Sequence, residues 1–107
     1  MSVDEAAVLK KANKAVFIDV RTEEEYKRER IEGSLFIPYQ QVNEKKDVLP
    51  KNKNSIIVVY CTVGVRSGWA QRKIEKLGYS QVFNMKGGIE MWKKENLPVL
   101  KESKENN

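Results

Sequence analysis

The chain has 107 residues and one cysteine, which is enough for a single domain and rules out a disulfide within the chain. Its 20 lysines and arginines against 15 acidic residues give a net charge of +5, but the two signs are interleaved, which is typical of a solvated surface and argues against a nucleic-acid partner. Because the sequence contains no histidine, it lacks the commonest general base and metal ligand, and we expect neither a metal nor a cofactor.

The apolar segments of the chain are all short. No apolar run approaches the ~18–20 residues that a membrane span requires, and residues 1–14 lack the apolar core of a signal peptide. We therefore expect a cytoplasmic protein with no membrane partner, although a secreted form whose signal has been removed would have the same sequence. One domain is predicted over residues 1–100, with residues 101–107 as a frayed tail.

Three elements are predicted in the first third of the chain. Residues 4–14 begin with acidic side chains and end with lysines, which favours a helix because these charges complement the helix dipole. The apolar run AVFIDV, residues 15–20, is too short for a surface helix and predicts a buried strand. Thr22 and Glu25 have the spacing of a capping box, so a charged helix is expected from there to about Arg30.

The signals in the middle of the chain are weaker. The segment SLFIP, residues 34–38, predicts a short strand that ends at Pro38, because proline has no amide to continue a ladder. A helix is expected within residues 40–48. The polar residues 50–54 then predict an exposed turn.

The segment SIIVVY, residues 55–60, gives the strongest strand signal, because four consecutive β-branched residues leave no polar face. We expect this strand in the middle of a parallel sheet. From Ser67 the apolar spacing becomes helical, and Gly78 supplies a left-handed cap at the end of that helix. The apolar face of the helix consists of Ala70, Ile74 and Leu77.

The domain is predicted to close with a strand at residues 81–84, a tight turn at Gly87 and Gly88, and an amphipathic helix that runs through Trp92. Trp69 and Trp92 are both expected to be packing residues. Strands and helices alternate along the whole chain. This order predicts an α/β domain with a mostly parallel central sheet of four to five strands, flanked by helices on both faces.

Cys61 follows the central strand directly, at the carboxyl end where the functional crevice of such a sheet lies. A lone cysteine after an apolar strand is more often inert packing. This one is followed by Gly64, Arg66 and the start of a helix at Ser67, and that spacing favours a reactive thiolate. The backbone N–H groups of residues 62–66 can converge on the sulfur, and the helix N-terminus adds its positive end.

Other polar and flexible residues surround this cysteine in the predicted site. Gly64 lets the loop backbone turn where a side chain would obstruct it. Arg66 either binds an anionic substrate through two parallel hydrogen bonds or anchors the loop. Asp19 and Arg21, after the first strand, are predicted to form a hydrogen-bonding brace, and steering of anions by Arg21 is the alternative.

Four segments of the sequence carry a family resemblance. They are DVRTEEEY at residues 19–26, IEGSLFIP at 31–38, VVYCTVGVRS at 58–67 and GYSQVFNMKGGIEMW at 78–92. In this order they resemble the successive motifs of a single-domain rhodanese, the thiosulfate sulfurtransferase family. The resemblance implies the rhodanese-like α/β fold and a Cys61 that carries sulfane sulfur as a persulfide.

The length of the cysteine loop refines the resemblance. Four residues separate Cys61 from Arg66, namely Thr62, Val63, Gly64 and Val65. Members of the wider superfamily that hydrolyse phosphate esters have five residues there, which gives a ring wide enough for a tetrahedral phosphate. The shorter loop is similar to that of the sulfurtransferase branch, and a smaller ring suits a sulfur atom bound to sulfur.

The expected reaction is therefore transfer of sulfane sulfur from thiosulfate or a similar small anion, through a Cys61 persulfide, to a thiol or cyanide. Thr62, Val63 and Val65 leave the loop mostly uncharged, so a persulfide-bearing protein partner or a mercapto acid is an alternative donor. Two other functions stay open from the sequence. One is a small phosphatase or arsenate reductase on the same scaffold, and the other is a sulfur-relay or binding module that depends on a partner.

Overall fold

The computed structural model describes residues 1–102. This part of the chain contains four α-helices and six strands. In chain order they are α1 (Val3–Lys11), β1 (Val16–Asp19), α2 (Glu23–Arg28), β2 (Glu29–Arg30), β3 (Leu35–Phe36), β4 (Ile56–Tyr60), α3 (Val65–Lys76), β5 (Gln81–Asn84), α4 (Gly88–Lys94) and β6 (Leu100–Lys101).

Four strands form the central sheet in the order β3-β1-β4-β5, and all three pairings are parallel. This confirms the predicted α/β class and the mostly parallel sheet. The register sets Asp19 of β1 beside Tyr60 of β4, and Val59 of β4 beside Asn84 of β5. Because parallel strands end at the same edge, the ends of β1, β4 and β5 meet where the chain leaves β4 for Cys61.

Helices cover both faces of the sheet, as predicted. The alternation of side chains along β4 separates two clusters: Ile57 and Val59 pack toward α3, whereas Val58 and Tyr60 pack toward α1 and α4. Cys61 continues the first set and belongs to the cluster under α3. The nucleophile predicted from the sequence therefore lies between the sheet edge and the start of α3.

The predicted capping box at the start of α2 is present. The Thr22 hydroxyl accepts the Glu25 amide at 3.2 Å, and the Glu25 carboxylate accepts the Thr22 amide at 2.9 Å. The helix stops at Arg28, two residues before the expected end. Residues 29 and 30 form strand β2 instead, which pairs antiparallel with β6.

Several local predictions differ from the structure. The expected helix within residues 40–48 is replaced by two 3₁₀ helices, Tyr39–Gln41 and Lys46–Val48. Helix α3 begins at Val65, two residues earlier than predicted, so the loop after Cys61 is shorter. Trp92 is buried, but Trp69 is 52% exposed and rests edge-on against Tyr39, so the prediction that both tryptophans are packing residues is wrong for Trp69.

The frayed tail was predicted to begin at residue 101, but residues 101 and 102 are hydrogen-bonded to the rest of the domain. Lys101 pairs with Glu29 in the small sheet, and the Glu102 amide donates to the carbonyl oxygen of Arg28 at 2.9 Å. The rest of the predicted tail, residues 103–107, lies outside the described residues. Within residues 1–102, no helix has the length and apolar content needed to cross a membrane.

Candidate active site

Cys61 is the first residue after β4, and its side chain is almost fully enclosed, with 1% of the residue exposed. The Gly64 amide donates to the sulfur at 3.0 Å and the Ser67 amide donates at 3.4 Å. The Ser67 hydroxyl lies 3.3 Å from the same sulfur. The sequence placed the donating amides within residues 62–66, whereas one of the two closest donors, Ser67, lies in the first turn of α3.

Gly64 makes this geometry accessible to the backbone. Its φ of +108° lies in the region that side chains disfavour, and it is the residue that precedes α3. A Cβ at this position would meet its nearest neighbour only at 3.6 Å, the Gly87 nitrogen. Glycine is therefore required here by the backbone angle, and not by the obstruction expected from the sequence.

Two opposing effects act on the pKa of the Cys61 thiol. Burial raises it, because a thiolate loses hydration inside the protein. The Ser67 hydroxyl and the amides of Ser67, Gly64 and Val63 lower it, because they donate to the charged sulfur. The donors outweigh burial, so the pKa of Cys61 is lower than that of an ordinary thiol.

The N-terminus of α4 supports the loop from the other side. The Ile89 amide donates to the carbonyl oxygen of Cys61 at 2.9 Å, and the Glu90 amide donates to that of Thr62 at 3.2 Å. The carbonyl of a trans peptide points opposite to its N–H group. Because the Thr62 carbonyl faces α4, the Val63 amide points away from α4, toward the side of the sulfur.

Asn84 is a site residue that the sequence did not reveal. Its side-chain oxygen accepts the Ser67 hydroxyl at 2.6 Å, and its side-chain nitrogen donates to the carbonyl oxygen of Gly64 at 3.0 Å. It therefore holds Gly64 and Ser67, whose amides donate to the sulfur at 3.0 and 3.4 Å. The sequence placed Asn84 at the end of a predicted strand. It did not show that this strand lies beside β4, which is what brings Asn84 to the site.

Glu25 is a second site residue that the sequence did not reveal, because its capping role already accounted for it. Its carboxylate binds the Arg66 guanidinium through two hydrogen bonds of 2.9 and 3.2 Å. It also accepts the Thr62 hydroxyl at 3.0 Å, and Arg66 donates to that hydroxyl at 2.9 Å. Of the two predicted roles of Arg66, the contacts are those of a loop anchor.

Asp19 and Arg21 form a pair at the same sheet edge. The Arg21 guanidinium donates to both carboxylate oxygens of Asp19 at 2.7 to 3.1 Å, and also donates to the carbonyl oxygen of Glu29. Arg21 is 5% exposed. These contacts join the end of β1 to β2 and leave the guanidinium enclosed, which is the arrangement of a brace.

The predicted site residues thus fall into two groups around one sulfur. Cys61, Gly64 and Ser67 form the centre, and Arg66 and Thr62 bind the first turn of α2 through Glu25. Val63 and Val65 project outward and are 60% and 63% exposed. A thiolate held by amide donors, with an apolar surround, can attack a soft electrophile such as sulfur without a proton shuttle.

Comparison with known proteins points to one family. The profile of the Rhodanese-like domain matches residues 2–95. The chain is 37% identical over 71 residues to the thiosulfate sulfurtransferase PspE of Escherichia coli (strain K12), covering 66% of this chain and 68% of that protein. It is 31% identical over 85 residues to a sulfurtransferase of Allochromatium vinosum, covering 79% of this chain and 78% of that protein.

A solved structure shares the fold. The crystal structure of a rhodanese-related protein from Thermoplasma volcanium superposes with a TM-score of 0.80 at 27% identity. The superposition covers 94% of this chain and 95% of that one. The two chains therefore share their whole architecture.

Proposed function

The chain belongs to the rhodanese-like domain family, and from this membership we propose that it is a sulfurtransferase that carries sulfane sulfur as a persulfide on Cys61. The strongest support comes from the surroundings of the Cys61 sulfur. Two backbone amides donate to it at 3.0 and 3.4 Å, and the pKa of the thiol is lowered. The amides stabilise a thiolate, and the same donors suit the sulfur atoms of a persulfide.

The first half of the reaction loads the cysteine. With thiosulfate as the donor, the Cys61 thiolate attacks the outer sulfur. A new S–S bond forms, the bond between the two thiosulfate sulfurs breaks, and its electron pair leaves with sulfite. The negative charge that began on the thiolate ends on the outer sulfur of the persulfide, within the set of amide donors.

The second half unloads it. Cyanide or the thiolate of an acceptor attacks the outer sulfur of the persulfide, the S–S bond to Cys61 breaks, and the Cys61 thiolate is restored. The product is thiocyanate or a new persulfide on the acceptor. No histidine is required, because amide donors stabilise the thiolate form of the nucleophile and the leaving groups are stable anions. A protein acceptor would make the chain one member of a sulfur relay.

Steady-state kinetics test this proposal. With thiosulfate and cyanide varied together, we expect parallel double-reciprocal plots, because sulfite leaves before the acceptor reacts. Cys61→Ser keeps a hydroxyl among the same donors and should lose all activity. If Cys61→Ser retains sulfur transfer, the proposal is wrong. Cys61-dependent hydrolysis of an aryl phosphate would instead support the phosphatase alternative.

A further inference from the structure

Glu25 places a carboxylate against the one charged side chain of the cysteine loop. From Cys61 to Ser67 the sequence contains Arg66 and no other ionisable group apart from the thiol. Both guanidinium nitrogens of Arg66 that face Glu25 donate to its carboxylate, at 2.9 and 3.2 Å. The two side chains are 29% and 28% exposed, so solvent reaches the pair only in part.

Both members of this ion pair are charged at neutral pH. The Arg66 guanidinium is the main cause that holds the pKa of Glu25 at about 2, and the Thr22 amide and Thr62 hydroxyl add to it against the effect of burial. Glu25 in turn raises the pKa of Arg66. Because Glu25 titrates at about 2 and arginine stays protonated throughout, both charges are present across the neutral range and cancel each other.

Building on the proposed function, we infer that Glu25 is a donor-specificity residue: by neutralising Arg66 it disfavours the thiosulfate dianion relative to an organic persulfide, which carries at most one negative charge and reacts as R–S–SH. The other arginine of the motifs, Arg21, is likewise matched by Asp19 and enclosed. Each arginine therefore has its own carboxylate, and the Cys61 thiolate adds a negative charge. A dianion is repelled by this charge more strongly than a persulfide, which carries at most one negative charge.

Exposed apolar side chains form part of the surface around the loop, next to the charged side chains of Glu90, Lys93 and Lys94 of α4. Val63, Val65 and Trp69 are 60%, 63% and 52% exposed, and all three belong to the loop or the first turns of α3. Apolar side chains cannot replace the hydrogen bonds that a dianion loses when it leaves water, but they can contact the carbon part of an organic persulfide.

The transfer from such a donor balances without a further reactant. The Cys61 thiolate attacks the outer sulfur of R–S–SH and forms the new S–S bond. The bond between the two donor sulfurs breaks, and the thiolate R–S⁻ leaves with the electron pair. The hydrogen stays on the transferred sulfur, so one negative charge enters and one leaves. The total charge of the reacting groups is therefore that of one thiolate before and after the transfer.

The substitution Glu25→Gln tests this with little change to the fold. Glutamine also serves at the third position of a capping box, so it keeps the start of α2. Its side-chain oxygen still accepts from Arg66, but the negative charge is gone. Glu24→Gln is the matched control, because it removes the same charge from the same helix, where Glu24 pairs with Arg28 at 3.5 Å in an exposed bridge.

The measurement is the rate of persulfide formation on Cys61, followed by intact mass, with thiosulfate and with the persulfide of mercaptoethanol as donors. One unit charge acts on a dianion across roughly 8 Å of water with an energy that corresponds to about a fivefold change in rate constant. We expect Glu25→Gln to raise kcat/KM for thiosulfate about fivefold and to change that for the persulfide, with at most one negative charge, by no more than about twofold. Added salt should reduce the difference, and Glu24→Gln should leave the ratio unchanged.

The double variant Glu25→Gln, Arg66→Gln gives an independent answer should the single variant fold poorly. If the pair acts as a neutral unit, the double variant keeps the donor ratio of the parent within about twofold, whatever its overall rate. A selective loss of thiosulfate use in the double variant would show that Arg66 serves this donor directly, and would overturn the inference. An unchanged donor ratio in folded Glu25→Gln would overturn it as well.

The same measurement distinguishes an error in the proposed function from an error in the specificity inference. If neither donor adds sulfur to Cys61 in the parent chain, the sulfurtransferase proposal and the specificity inference are both wrong. If both donors load Cys61 but the charge of Glu25 has no effect on their ratio, only the inference is wrong.

Discussion

At the scale of single residues, the chemistry depends on the donors that face one sulfur. The sequence predicted Cys61, Gly64 and Arg66 because their spacing lies within one loop. It did not predict Glu25 or Asn84 as site residues, because they are 41 and 20 residues away from the loop residues that they bind. Such contacts depend on which elements become neighbours, and a spacing pattern within one segment contains no information about that.

Ser67 allows the thiolate interpretation to be tested directly. Its hydroxyl has one hydrogen, which it donates to the Asn84 side-chain oxygen at 2.6 Å; the Cys61 sulfur lies 3.3 Å away and becomes the competing acceptor when the thiol ionises, because a thiolate accepts hydrogen bonds more strongly than a neutral thiol. A hydrogen bond to a charged group contributes about 1.5–3 kcal/mol, which is about one pK unit or more. We expect Ser67→Ala to raise the pKa of Cys61 by about one unit.

The pH dependence of Cys61 alkylation measures this shift. A higher pKa lowers the thiolate fraction at every pH below it, so Ser67→Ala should be slower near neutrality, by up to about tenfold, and should match the parent at alkaline pH. Ser34→Ala is the control, since Ser34 is also buried but binds Tyr60 and Ile31. An unchanged midpoint in Ser67→Ala would show that the backbone amides act alone.

At the scale of elements, helix termini determine the shape of the site. Helix α3 begins at Val65, so its first turn supplies the Ser67 amide, and α4 begins at Gly88, so its first amides hold the loop carbonyls. The sequence predicted both helices and the turn before α4. It placed the start of α3 two residues late, because Val65 and Arg66 gave no recognisable start signal once Gly64 had been assigned to the loop.

Gly88 tests the contact between α4 and the loop. A Cβ at this residue would lie 2.4 Å from the carbonyl oxygens of both Cys61 and Thr62, and its φ is +60°. Because all of these neighbours are backbone atoms, Gly88→Ala must displace the loop or the helix. We expect it to lower the free energy of unfolding by about 3 kcal/mol and to raise the pKa of Cys61.

Denaturant unfolding and the same alkylation titration check both effects. Gly68→Ala is the matched control, because Gly68 lies inside α3 and its added Cβ would make only an ordinary contact of 3.5 Å with Asn84. Alanine there should be neutral or stabilise the helix by up to about 1 kcal/mol. If Gly88→Ala has the stability and the pKa of the parent, α4 does not position the loop.

At the scale of the whole molecule, the sheet order explains why the site forms where it does. Alternating strand and helix signals were sufficient to predict a parallel sheet with helices on both faces, and the apolar run of β4 predicted its central place. The order β3-β1-β4-β5 and its register were not readable from the sequence, because every strand has apolar residues that fit several neighbours. That order brings Asn84 beside the end of β4 and completes the site.

Sulfur transfer by this chain requires that Cys61 carries sulfur, and the intact mass of the protein shows whether it does. After incubation with thiosulfate or with the persulfide of mercaptoethanol, and removal of the donor, we expect the mass to rise by one sulfur atom. Cyanide should return it to the starting value, and Cys61→Ser should gain nothing. If neither donor adds sulfur to folded protein whose Cys61 is still alkylated rapidly, then Cys61 is a reactive thiol and not a sulfur carrier.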